Sequence, residues 1–201
     1  FGIVSGLIHS LRTGEGQIVD STMVDGALSL MSFFYSLKEM GHWDDQRESN
    51  LLDGHAHFYD TYKCADNKYI AIGSIEPKFY KELLDKLEID DRRFLDQYNK
   101  DLWPELKNLI ASKVLLKTRS EWEDIFSGTD ACVTPVLDMS EAQQNIHNLK
   151  RNAFTDVDGF NQPSASPRYS VTKPEIKHNA KQVGTDLDQV CNEFGLSKAA
   201  F

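Results

Sequence analysis

Residues 1 to 13 set Ile3, Val4, Leu7, Ile8 and Leu11 at helical spacing, and Gly14 follows where a helix can close. "QIVD" reads as a brief extended piece. From Ser21 the pattern predicts one long helix, with Val24, Ala27, Leu28, Met31, Phe34 and Tyr35 on a single stripe and Gly41 beyond its end. That stripe is broad and aromatic, which predicts burial against a large partner surface. Residues 42 to 57 are polar and irregular, a connecting segment.

"YIAIGSI" predicts a strand with Gly73 near its end, and Pro77 suits the first turn of the next helix. Phe79, Tyr80, Leu83, Leu84 and Leu87 give that helix its apolar face. "DDRRFLDQYNKD" reads as a loop, and Pro104 opens a helix with Leu106, Leu109, Ile110 and Val114 inward. Ser120 followed by Glu123 fits a capping box ahead of "EWEDIF", which Gly128 ends. "ACVTPVL" predicts a second strand, so residues 69 to 137 form a strand–helix–helix–helix–strand module. Ser140 with Gln143 caps one more helix. "DGFNQPSASPRYSVTKPE" reads as an extended crossing without a core, and Thr185 caps a last helix in which Leu187, Val190 and Phe194 pack and Gly195 is the stop.

Composition narrows the class. The chain is 40% hydrophobic and 26% charged, a soluble globular balance with no apolar run long enough for a bilayer span, so no membrane is expected. No basic-then-apolar leader opens it. It starts without Met, already inside a helical pattern, and is read as a piece of a longer chain. A net charge of −9, with no Lys/Arg run, predicts no nucleic-acid partner. Three cysteines without CxxC spacing disfavour a disulfide framework and a cysteine zinc site. They fit an intracellular, reducing compartment: cytoplasm, or mitochondrion or peroxisome in a eukaryote. The ending "SKAAF" is not a peroxisomal signal of the Ser-Lys-Leu kind.

Candidate chemistry is sparse. "GEGQ" lacks a third glycine and precedes its extended piece, so a helix-ending turn explains it better than a phosphate loop. In "NLLDGHAHFYDTYK", His55 and His57 would share a face if the chain were extended, but a metal site needs further ligands that the scattered His9, His42, His147 and His178 do not supply. Glu76 stands in "GSIEPKFY" between a strand and a Pro-started helix, where a scaffold can present a functional carboxylate. Interaction with the helix macrodipole is its simpler explanation. Tyr59 and Tyr62 are pocket candidates, although aromatic strand residues more often pack in a core.

"GEGQIVDSTMVDG", "SNLLDGHAHFYDTYKCADNKYIAIGSIEPKFY" and "WEDIFSGTDACVTPVL", in that order, resemble the alpha-methylacyl-CoA racemases of the family III CoA-transferase superfamily. The resemblance runs from about Thr13 to Leu137 and weakens after residue 140. It implies an α/β fold: part of a Rossmann-like large domain plus a small α+β domain, in an interlocked homodimer. The implied division is 1–20 for the end of the large domain, 21–60 for a linker with a long helix, 61–140 for the small domain and 141–201 for a segment returning to the large domain.

The implied reaction inverts the alpha carbon of a 2-methylacyl-CoA thioester by proton abstraction and return, with acyl-CoA as substrate and no separate cofactor. Its catalytic His and Asp, and most of the CoA surface, belong to sequence upstream of the match. What the resemblance places in this chain is a supporting Glu76, which reaches the catalytic His of the partner subunit, and substrate-facing Asp53, Gly54, Tyr59, Tyr62 and Ile75. Cys132 matches a family position and is read as packing. Relatives have Gly-Gly-Ala-Pro where this chain has Gly54-His55-Ala56-His57, so both histidines are read as substitutions at a pocket rim or on the surface, without metal. Two alternatives stand: a CoA-transferase working through an aspartyl intermediate, and a non-catalytic remnant that binds a partner.

Overall fold

The computed structural model describes residues 1–197, in two units, 1–136 and 137–197. In the first, α1 (Gly2–Thr13) ends on Gly14, whose φ of 76° gives the left-handed turn a glycine adopts freely. "QIVD" forms no strand. The stripe from Ser21 becomes two helices, α2 (Met23–Leu30) and α3 (Ser32–Glu39), separated at Met31 yet bridged by its amide to Ala27 and its carbonyl to Tyr35. Thr22 supplies the N-cap, accepting from the Asp25 amide.

Three antiparallel strands follow: β1 (Tyr59–Lys63), β2 (Tyr69–Gly73) and β3 (Val133–Pro135), in that order across the sheet. Strand β1 was foreshadowed only by its two tyrosines; "YDTYK" carries too little apolar signal to give its bounds. Between β2 and β3 run α4 (Pro77–Leu87), α5 (Trp103–Val114) and α6 (Arg119–Phe126). Pro77 starts α4 as expected, and Tyr80, Leu83 and Leu87 are its buried face. "DDRRFLDQYNKD" is a loop with one 3-10 turn, Arg92–Leu95, that drives Phe94 into the core. The α6 cap sits two residues earlier than the sequence reading: Thr118 and Glu121 form the capping box. Both "TRSE" and "SEWE" satisfy the S/T-x-x-E pattern, and the earlier one wins because Trp122 and Phe126 are then buried.

Helices cover one face of the sheet. Period-two alternation sends Tyr62, Ile70 and Ile72 into a core with Leu83, Trp103, Leu106, Ile110 and Trp122. The indole nitrogens of Trp103 and Trp122 donate to the carbonyls of Gln97 and Val114, both 2.8 Å, so neither ring buries an unmet donor.

In the second unit, α7 (Met139–Gln144) is capped by Asp138 and Glu141 instead of Ser140 and Gln143. Helix α8 (Ile146–Lys150) follows. The expected crossing begins with a hairpin, β4 (Phe154–Val157) and β5 (Phe160–Pro163), turned by Asp158 and Gly159 at φ 53° and 81°. Two positive values are what a type I′ turn requires. Helix α9 (Leu187–Phe194) stops at Gly195, but Asp186 is its N-cap residue and Thr185 bonds backward to Gln182. Cys191 is its buried residue, whereas Val190 and Phe194 are exposed. Among the described residues no helix is long and apolar enough to cross a membrane.

The stripe on α2 and α3 is uncovered: Val24, Leu28, Met31 and Tyr35 are between 43% and 67% exposed, while Phe34 turns inward against Trp43 at 4.9 Å. Apolar surface of that extent drives association. The purified chain is therefore expected to sediment as self-associated species, and Leu28→Lys with Met31→Lys is expected to shift it towards monomer. A monodisperse wild-type monomer would contradict this.

Candidate active-site wall

The face of the sheet away from the helices carries small side chains. Tyr59 pairs with Gly73, Thr61 with Ala71, and Ala71 with Thr134. They leave a cleft of about 450 Å³, walled by Tyr59, Asp60, Thr61, Gly73, Cys132 and Thr134 and closed at one end by Leu52, Asp53 and Gly54. The Gly73 Cα faces the Tyr59 ring edge, which a Cβ there would meet at 3.8 Å.

Asp53 builds the turn at that end. Its carboxylate accepts from the amides of Ser49, Asn50 and His55 and from the Asn50 side chain, at 2.8 to 3.3 Å. Burial pushes this carboxyl up, but those four bonds outweigh it and leave it below its ordinary value. Asp53 is thus ionised and already fully engaged. Gly54 follows at φ 92°, a conformation that favours glycine. Its carbonyl accepts from Lys107 at 2.5 Å, and the same ammonium pairs with Asp60. Both carboxylates are therefore spent on holding the wall, that of Asp60 from the helix side of β1.

Glu76 is different. It is the N-cap residue of α4, yet its side chain makes no capping bond, and among the described residues its carboxylate has no hydrogen bond or ion pair. It is exposed, outside the cleft lining, and its charge bears on Cys132 at the cleft wall. The Cys132 thiol is pushed up by burial and then by Glu76 and Asp130, so at neutral pH it is a thiol and no nucleophile.

The turn that carries Glu76 is pinned on several sides. The Gly73 amide donates to Cys132 (2.9 Å), the Ser74 amide to Phe58 (3.0 Å), and the Ser74 hydroxyl to Ala131 (2.5 Å). Gln97 donates to the carbonyls of Ser74 and Ile75, and the Tyr98 hydroxyl to that of Ile75 at 2.7 Å. Ser74, Gln97 and Tyr98 carry no motif, and sequence reasoning missed them. The partners of their side chains lie more than twenty residues away.

Of the residues singled out in the sequence, Asp53, Gly54 and Tyr59 meet at one cleft. Ile75 and Glu76 sit on the pinned turn. Tyr62 faces the opposite side of β1, buried, with its hydroxyl donating to the His57 carbonyl at 2.6 Å. Residues three apart on a strand point to opposite faces, so Tyr59 and Tyr62 cannot both line the cleft.

The histidines also depart from expectation. Strand β1 starts only at Tyr59, so His55 and His57 are not a strand pair. His55 meets Trp103 edge-on at 5.3 Å. His57 is 0% exposed, not on a rim, and its Nε2 lies 2.6 Å from the Tyr80 hydroxyl, while Nδ1 has no partner. No group of three or more His, Cys, Asp or Glu among the described residues could hold a metal ion.

The chain belongs to the CoA-transferase family III, whose pattern matches residues 1–187. It is 42% identical to the alpha-methylacyl-CoA racemase of Mus musculus and 38% identical to that of Homo sapiens. Each match runs over 200 residues, 98% of this chain and 52% of the relative, so the chain spans about half the length of these curated relatives. A crystal structure of a CAIB/BAIF family protein from Brucella suis has the same α/β fold, with a TM-score of 0.74 at 17% identity over 95% of this chain and 51% of that one.

Burial pulls the His57 ring down from 6.5 to about 4. Between those values the unfolded chain binds the proton and the folded unit does not. This part of the stability is therefore complete above 6.5 and is lost as pH falls towards 4. Urea unfolding at about pH 7 and about pH 4.5 is expected to show that loss, and His57→Phe to reduce it. An unchanged slope in the variant would contradict the assignment.

Proposed function

We propose that the protein containing this chain is an alpha-methylacyl-CoA racemase, an isomerase inverting the alpha carbon of 2-methylacyl-CoA thioesters. The observation that carries this reading is the identity, over 98% of the chain, to two racemases of that name. The free Glu76 carboxylate on its pinned turn supports it.

The chemistry sets clear demands. A thioester acidifies its alpha proton, a base removes it, and a group on the opposite face returns it. The enolate between these steps needs preorganised dipoles. Asp53 and Asp60 are committed to the wall, whereas the Glu76 carboxylate, on the turn beside the cleft, makes no hydrogen bond or ion pair among the described residues and has capacity to act. Its role here is to accept a hydrogen bond from a catalytic histidine of a partner subunit, fixing the ring and raising its basicity, as a carboxylate does in a triad. The catalytic His and Asp themselves belong to sequence beyond this chain. Asp53, Gly54 and Tyr59 form the substrate-facing wall with Ile75 on the turn beside it, CoA enters as part of the substrate, and no separate cofactor is needed. The uncovered stripe on α2 and α3 is consistent with a homodimer.

In the full-length enzyme, Glu76→Gln keeps the shape and removes the charge. Turnover, read as alpha-proton exchange in heavy water, is expected to fall roughly ten- to a thousand-fold, less than the roughly hundred- to ten-thousand-fold of a group that itself moves the proton. Substrate affinity and melting temperature should stay near wild type. Intact turnover with a lower melting temperature would leave Glu76 as a helix-start carboxylate only. Transfer of CoA between carboxylic acids without alpha-proton exchange would instead establish the CoA-transferase alternative.

A further inference from the structure

We propose that His57 and Tyr80 form a latch holding the two parts of the site, the Asp53–Gly54 turn and the Glu76 turn, at a fixed spacing, so that both act as positioning residues. This rests on the reading of Glu76 given above.

His57 ends the loop that Asp53 and Gly54 begin. Its ring reaches across 23 residues to the Tyr80 hydroxyl at 2.6 Å. Tyr80 lies one turn into α4, and its amide donates to the Glu76 carbonyl at 2.9 Å. The Nε2 bond therefore ties the end of the Asp53 loop to the helix turn on which Glu76 stands. The main chain at His57 is anchored as well. Its carbonyl accepts from Tyr62 at 2.6 Å, and the next carbonyl, of Phe58, accepts from the Ser74 amide at 3.0 Å. Phe58, Tyr80 and Phe94 meet the imidazole edge-on at 5.0 to 5.5 Å, which leaves the ring one orientation.

Packing alone does not require an imidazole here. An apolar ring of similar size would bury comparable area without stranding a nitrogen, and Nδ1 is stranded. What the imidazole adds is one directional bond, to Tyr80. Burial keeps the ring neutral at physiological pH, so the bond is uncharged and constant there.

The test is a double-mutant cycle in the full-length enzyme with His57→Phe and Tyr80→Phe, read as alpha-proton exchange. Each single variant is expected to lower kcat about ten-fold with KM within about two-fold, and the double variant to be no worse than either. His57→Gln, which can still bond the Tyr80 hydroxyl, should recover most of kcat. Additive losses, or wild-type kcat with only a lower melting temperature, would overturn the latch. Amide hydrogen exchange at Ser74 and Tyr80 reads the same bond without an activity assay. It should quicken about ten-fold in both Phe variants and stay slow in His57→Gln, whereas unchanged exchange in the Phe variants overturns the proposal. If the wild-type enzyme exchanges no alpha proton, the racemase reading fails and the amide measurement still decides the latch.

Discussion

The site depends on the way Ser74 is buried. The alternation that sends Ile70 and Ile72 to the core puts Ser74 on the same side, at 0% exposure. A hydroxyl there must be bonded or cost about 1–3 kcal/mol. Its bond to the Ala131 carbonyl draws in the chain entering β3, its amide draws in the end of the Asp53 loop through Phe58, and its carbonyl is held by Gln97. One small polar residue thus fixes three segments distant in sequence. An alanine would leave the Ala131 carbonyl without its hydroxyl donor.

The two faces of the sheet divide the work. On the helix side, apolar contacts and the His57–Tyr80 bond supply rigidity. On the open side, Thr61, Ala71, Gly73 and Thr134 leave space for a ligand. Charge follows the same division. Asp53 is consumed by four donors and Asp60 by Lys107, which keeps the wall in place, whereas Glu76 has no partner among the described residues. A carboxylate that is held by its backbone and not by its side chain can accept a bond from something that arrives.

Much of this was legible in the sequence wherever the determinant is local. Pro77, the buried stripe of α4, and the glycine stops at 14 and 195 follow from periodicity and turn chemistry. The caps of α6 and α7 were misplaced by two residues because "TRSE" and "SEWE", and "DMSE" and "SEAQ", offer overlapping signals that only packing separates. The Asp158–Gly159 hairpin had its signal in "DG", which the surrounding Pro and Ser obscured. The parity of Tyr59 and Tyr62 could have been reasoned from strand geometry once β1 was known. The burial of His57 could not, since Tyr80 and Phe94 reach it from 23 and more residues away. Gln97 and Tyr98 were silent for the same reason. Recognition of the family came from long ordered motifs, and those name the wall without revealing what holds it.

The central claim is that the Glu76 turn is positioned by what Ser74 holds, and Ser74→Ala in the full-length enzyme tests it most directly. Unfolding free energy and the rate of alpha-proton exchange from a 2-methylacyl-CoA in heavy water would be measured on the same preparation. Stability is expected to fall by about 1–3 kcal/mol and kcat to fall with it while KM holds, since the carboxylate is still present but no longer aimed. Wild-type kcat in a destabilised variant would contradict the account: the turn would then keep its aim without Ser74.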